Sequence, residues 1–250
     1  MRPIVLFTDF GLEGPYIGQV KVVLAREAPG AAVFDLLADA PAFDAQASAY
    51  LLASLTPHTP RDAVFVAVVD PGVGDPKRRP AAVQADGQWF VGPDNGLFNV
   101  VAQRSGAVTW FDITWQPPQL SATFHGRDLF APVAARIARG QPVPGMQVPA
   151  RERIDAGWPQ DLARIVYVDR YGNAMTGLRA AHLATGTKLR VAGTVLGRAR
   201  TFSDVPQHEQ LWYENSNGLA EIAVHGGNAA ERFGLRVGSP VEVLATLPHK

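Results

Sequence analysis

Short apolar, β-branched runs alternate with helix-length segments through the first half of this chain: IVLF (4–7), GQVKVVLAREA (18–28), AVFDLL (32–37), DAQASAYLLASL (44–55) and AVFVAVV (63–69). The runs are too short to span a membrane and too rich in valine and isoleucine for helices, so the alternation predicts βα units around a central sheet. Further strands are expected in PAAVQADGQWFVGP and VTWFDI, and an amphipathic helix in GRDLFAPVAARIARG, which ends at a glycine.

The pattern fades near residue 140. Residues 141–163 contain four prolines and no sustained period, and read as a connector. Beyond them, IVYVD, KLRVAG, LWYEN, LAEIAVHG and SPVEVLATL are strand-length runs separated by Gly, Asn and Pro turns. The expectation is an N-terminal α/β domain over 1–145, a linker over 146–162 and a smaller C-terminal β-barrel domain over 163–250.

Composition narrows the chemistry. Formal net charge is zero, so no global positive field gathers a nucleic acid or an anionic membrane, and a small molecule is the expected partner. There is no cysteine, which removes disulfides, zinc–thiolate centres and thiol nucleophiles. The six histidines, His58, His125, His182, His208, His225 and His249, are scattered outside any H-E-x-x-H or H-x-H pattern, and no metal is expected. Walker, G-x-G-x-x-G and G-x-S-x-G templates are missing too. The N-terminus lacks a signal-peptide apolar region, which gives a cytoplasmic location by default.

The chemistry-bearing residues sit where strands end. TDFG places Asp9 after the first run, and VVDPGVGDPKRRP places Asp70 after the fifth, followed by Lys77, Arg78 and Arg79. The carboxyl edge of an α/β sheet is where loops aim side chains at ligands. Asp9 suits a vicinal diol, or else caps a turn. Each of the other motifs also reads as a turn: GPDNG (92–96) carries a hairpin signal, FHGRD (124–128) puts His125 at a helix start, and DRYGN, NSNG and GGNAAE are turn-rich.

In their order, TDFG, VVDPGVG with RRP, GPDNGLF, FHGRDLFAPVAA, DRYGNAMT and NSNGLAEIAVHGGNAAE resemble the S-adenosyl-L-methionine (SAM) hydrolase family, also called SAM hydroxide adenosyltransferases, and are similar to the fluorinases and chlorinases. The resemblance implies hydrolysis of SAM to adenosine and L-methionine without a cofactor, by a homotrimer with sites at subunit interfaces. It implies a water-activating set of Asp70, Arg78 and His125. Strict counting from Asp70 selects Lys77 instead of Arg78, and Arg79 is a further alternative. The fluorinase branch carries a tyrosine at the Asp70 position, which favours water over halide here. The same matching assigns Asp9 to the ribose hydroxyls, Phe43 to the nucleoside, Asp169 and Ser216 to the methionine end, and Tyr171 and Asn173 to the adenine, with Asn217, Asn228 and Ala229 nearby. A non-catalytic SAM or adenosine sensor is the competing reading; a metal-dependent phosphoesterase would need a carboxylate/His cluster.

Overall fold

A computed structural model describes residues 1–244, and its contacts divide the chain into two units, Met1–Trp158 and the part beginning at Pro159. The last residues of the expected strand SPVEVLATL lie outside the described residues.

The first unit runs β1 (Ile4–Thr8), α1 (Tyr16–Glu27), β2 (Val33–Leu37), α2 (Ala45–Leu55), β3 (Val64–Val68), β4 (Pro80–Ala85), β5 (Gln88–Pro93), α3 (Asn99–Arg104), β6 (Val108–Ile113), α4 (Ala131–Ala138) and β7 (Gly145–Val148). These strands form one seven-stranded sheet in the order β2-β1-β3-β5-β4-β6-β7. The pairs β1/β2, β1/β3 and β3/β5 are parallel, and the pairs from β4 to β7 are antiparallel. Ile4, Leu6, Val64 and Val66 point into a core shared with α1 and α4. Val5, Phe7 and Phe65 alternate to the opposite face and are equally buried, as expected of strands covered on both sides. Thr8 pairs with Val68, so β1 and β3 end side by side and deliver Asp9 and Asp70 to one edge.

Two expectations for the first unit need correction. The hairpin is not at GPDNG: Asn95 instead donates its amide to the Val69 carbonyl at 2.8 Å, and the segment leads into α3. The hairpin joins β4 to β5 through Asp86 and Gly87, both at positive φ (48° and 97°), the twist a two-residue turn requires. The Pro-rich connector is also not without structure. Gly145–Val148 pairs with β6 as the sheet's edge strand, and Asn99 bonds Asp155 through its amide and its carbonyl oxygen.

The second unit contains β8 (Leu162–Val168), β9 (Ala174–Arg179), β10 (Lys188–Val191), β11 (Thr194–Leu196), β12 (Gln210–Glu214), β13 (Leu219–Val224), α5 (Ala229–Phe233) and β14 (Glu242–Leu244). In place of the single closed barrel expected, there is a four-stranded sheet, β12-β13-β9-β8, and a three-stranded sheet, β11-β10-β14. Isolated bridges at Arg164/Pro240 and Arg198/Trp212 link their ends, where β8 and β12 would otherwise be bare edges. Trp212, Ile222 and Leu189 anchor a separate core.

Candidate active site

Asp70 lies two residues beyond the end of β3, and its side chain is only 2% exposed. Oδ1 accepts the Gly72 N–H at 3.2 Å and lies 3.2 Å from Arg78 Nε. The Arg78 contact is an ion pair without the alignment of a hydrogen bond, while Oδ2 is buried and receives no donor among the described residues. Burial pushes the Asp70 carboxyl above its ordinary value, opposed by Arg78, the Gly72 N–H and His125.

The intervening loop explains how Arg78 returns. The N–H of Asp75 bonds the Gly72 carbonyl and that of Arg78 bonds the Asp75 carbonyl, so the chain turns twice within seven residues. The guanidinium then occupies the space a Cβ on Gly72 would need. Gly74, at φ 87°, packs against the Ala122 carbonyl and ties this loop to the segment preceding His125. The neighbouring cations go elsewhere: Arg79 pairs with Asp94 at 3.0 Å, and Lys77 is exposed.

His125 sits at the head of a π-helical turn, Gly126–Phe130, which continues into α4. Such turns are rare and concentrate at functional sites. Gly126 is required here because a Cβ would collide with Phe10 and Phe124. Arg127 braces the turn, bonding Asp128 at 2.6 and 2.9 Å and Gln19 of α1 at 2.8 Å. Asp9, Phe10, Asp70, Val73, His125 and Phe130 line one small cavity of about 60 Å³.

Asp9 is raised by burial and by the charge of Asp70, against backbone hydrogen bonds that include Phe43. Phe43 itself is 80% exposed and held at φ 63°, a left-handed conformation unusual for an aromatic residue. Its backbone turns into α2, whose cap Asp44 accepts the Ala47 N–H at 2.8 Å.

The remaining expected residues lie in the second unit. Asp169 ends β8 and accepts the N–H groups of Tyr171 and Asn173, both at 2.9 Å, and the Asn173 amide at 3.1 Å. Asn173 therefore commits an amide hydrogen to Asp169 rather than holding both for a ligand. Tyr171 is 76% exposed and lines a cavity of about 420 Å³ with Asn173, Phe202 and Val224. Asn228 caps α5 by accepting the Glu231 N–H at 2.9 Å, and its amide presses on Gly172, where a Cβ would overlap it. Ala229 is buried behind that cap. Ser216 is exposed, and the Asn217 N–H bonds the Asn215 side chain at 3.0 Å.

Sequence reasoning missed Phe202, which no motif marks. It also missed Glu221, although an acid inside the apolar run LAEIAV was a legible signal.

Comparison with known proteins gives a consistent result. Residues 4–147 match the SAM hydroxide adenosyltransferase N-terminal domain and residues 163–242 the corresponding C-terminal domain. The chain is 41% identical to an (R)-S-adenosyl-L-methionine hydrolase of Thermus thermophilus, covering 98% of this chain and 100% of that protein. It is 39% identical to one of Salinispora arenicola, over 95% and 96%. A fluorinase of Nocardia brasiliensis is 24% identical over 97% of each. The fold matches a crystal structure of an uncharacterized conserved protein from Thermotoga maritima with a TM-score of 0.84, at 30% identity over 97% of this chain and 100% of that one.

Proposed function

Since the chain belongs to the SAM hydroxide adenosyltransferase family, we propose that it hydrolyses SAM to adenosine and L-methionine, with Asp70, Arg78 and His125 acting on the attacking water. The observation that carries this reading is the Asp70 carboxylate: buried, paired on one oxygen with Arg78, and with its other oxygen lacking a donor among the described residues, in a cavity shared with His125. A buried acceptor without a donor calls for one, and a water held there would satisfy it.

The chemistry is an in-line displacement. The water oxygen bonds to C5′ as the C5′–S bond breaks, and its electron pair returns to sulfur to give the neutral methionine thioether. Asp70 and His125 take the water's proton as general base, an effect worth about 10²- to 10⁴-fold in rate. Arg78 holds the carboxylate in place and balances its charge, and its planar fork suits that task better than lysine's ammonium. Positive charge on sulfur disappears along the reaction, and one proton is released per turnover. A site that is largely apolar around Phe10, Val73 and Phe130 favours that loss of charge.

Asp9 receives the ribose hydroxyls, with Phe43 against the nucleoside. Tyr171 offers its exposed ring to the adenine beside Asn173, and Asp169 and Ser216 serve the methionine end, with Asn217, Asn228 and Ala229 shaping the surrounding backbone. No cofactor enters the reaction. A homotrimer and a cytoplasmic location belong to the same proposal, supported by the family resemblance; light scattering checks the trimer against the subunit mass of 26.8 kDa.

The test is turnover of SAM by the purified protein, following adenosine and methionine by chromatography and protons by pH-stat. One adenosine, one methionine and one proton per SAM is the expected result, lost in Asp70→Asn. SAM left intact while bound would replace this reading with that of a sensor.

A further inference from the structure

Glu221 stands in the middle of β13, where Ala220, Ile222 and Val224 point into the core and Glu221 takes the other face. It is 3% exposed. Burying a carboxylate is costly, and an apolar residue of similar size would serve the sheet at least as well. Its placement therefore calls for a reason beyond packing.

Its hydrogen bonds supply one. One carboxylate oxygen accepts the hydroxyl of Tyr213, its direct cross-strand partner on β12. The other accepts the Asn215 amide at 2.7 Å. Asn215, itself buried, turns its carbonyl oxygen to the N–H groups of Asn217 and Leu219, both at 3.0 Å. Its backbone closes the turn through Leu219 and Gly218, at 2.9 and 3.0 Å. The connection between β12 and β13 is thus organised around Asn215, whose side chain is oriented by Glu221. Ser216 is exposed on this connection. Burial raises the Glu221 carboxyl above its ordinary value, opposed by the Tyr213 and Asn215 hydrogen bonds and assisted by the like charge of Asp169.

We infer that Glu221 is a positioning residue for the amino-acid end of the substrate: without touching substrate, its carboxylate fixes Asn215, and through it the loop that presents Ser216. This rests on the SAM hydrolysis reading. Glu221→Met removes both acceptors at similar size, so the Asn215 amide loses its partner; Asn215→Ala removes the loop's template directly.

The experiment is steady-state kinetics on SAM for wild type, Glu221→Met, Asn215→Ala, the double variant and Tyr213→Phe, with melting temperatures alongside. Loss of a buried hydrogen bond of this kind corresponds to about a tenfold rise in KM for Glu221→Met and for Asn215→Ala, with kcat held within about threefold because Asp70, Arg78 and His125 are untouched. The double variant is no worse than either single one, since both act through the same contact. Tyr213→Phe, which keeps the Asn215 bond, leaves KM near wild type. Asn215→Ala keeps the inference testable if Glu221→Met does not fold. Lowered melting temperatures with unchanged KM, or additive effects in the double variant, would overturn it. A wild-type protein that neither binds nor cleaves SAM would overturn the underlying reading, and this inference with it.

Discussion

Arg78 reaches Asp70 across Gly72: its guanidinium fills the space above the glycine Cα, and Nε comes to rest 3.2 Å from the carboxylate. Residue 72 is thus as much a part of the candidate site as the two charges it separates. Its φ lies outside the left-handed region, so a side chain there meets a steric obstacle and no backbone strain.

Gly72→Ala is expected to displace Arg78 while leaving the fold intact. A shift of about 1 Å in a positioning group costs about 10²-fold in rate, so kcat should fall on that order with a melting temperature near wild type. Kinetics paired with thermal unfolding reads both; full activity in the alanine variant would show that Arg78 need not sit there.

The acid limb of the pH–activity profile should belong to Asp70. The ionised carboxylate is the active form, so activity falls as pH drops through its pKa, which burial raises and Arg78 lowers. Removing Arg78 takes away a lowering influence, so Arg78→Gln should move the limb of kcat/KM to higher pH, beyond its loss of rate. A limb that stays put or moves to lower pH would contradict the assignment.

Tyr171→Ala should weaken substrate binding more than it slows chemistry. Stacking of a base on an aromatic ring is worth about 1–3 kcal/mol, or about 5- to 160-fold in KM. With the ring 76% exposed, little stability should be lost. Equal KM values in calorimetrically matched preparations would remove Tyr171 from the adenine site.

A separate prediction concerns stability. Burial works to raise the Asp161 carboxyl, but the Arg179 side chain and N–H, with His182, outweigh it and hold the group at about 2 against an ordinary 3.8. Because the folded value is the lower one, the contribution is complete above pH 3.8 and disappears as pH falls toward 2. The difference in melting temperature between wild type and Asp161→Asn should shrink across that interval; a constant difference would assign the stabilisation to something other than charge.

What the sequence made legible was mainly what local chemistry determines. The short apolar runs became β1, β2 and β3; β1 and β3 are buried along their whole length, while β2 takes the partly covered edge of the sheet. Asp9 and Asp70 at the strand ends followed from that placement. Features fixed by distant pairing were less visible. Asn95-Gly96 and Asp86-Gly87 carry the same turn signal, and only the register of β4 on β5 distinguishes the hairpin. β7 is a strand because β6 offers it an edge, not because GMQV prefers to extend. The role of Asn173 was obscured for the same reason, since its bond to Asp169 depends on how the turn closes. That Arg78 lies against Asp70 while Arg79 turns to Asp94 follows from loop geometry that counting residues does not convey.

The most direct test of the central claim is the fate of oxygen when the protein acts on SAM in halide-free buffer made with ¹⁸O-water. Attack at C5′ by a water held at Asp70, Arg78 and His125 predicts adenosine carrying one ¹⁸O at its 5′ hydroxyl, unlabelled methionine, and loss of both products in His125→Ala. Unlabelled adenosine, label in the amino-acid product, or undiminished turnover in that variant would contradict it.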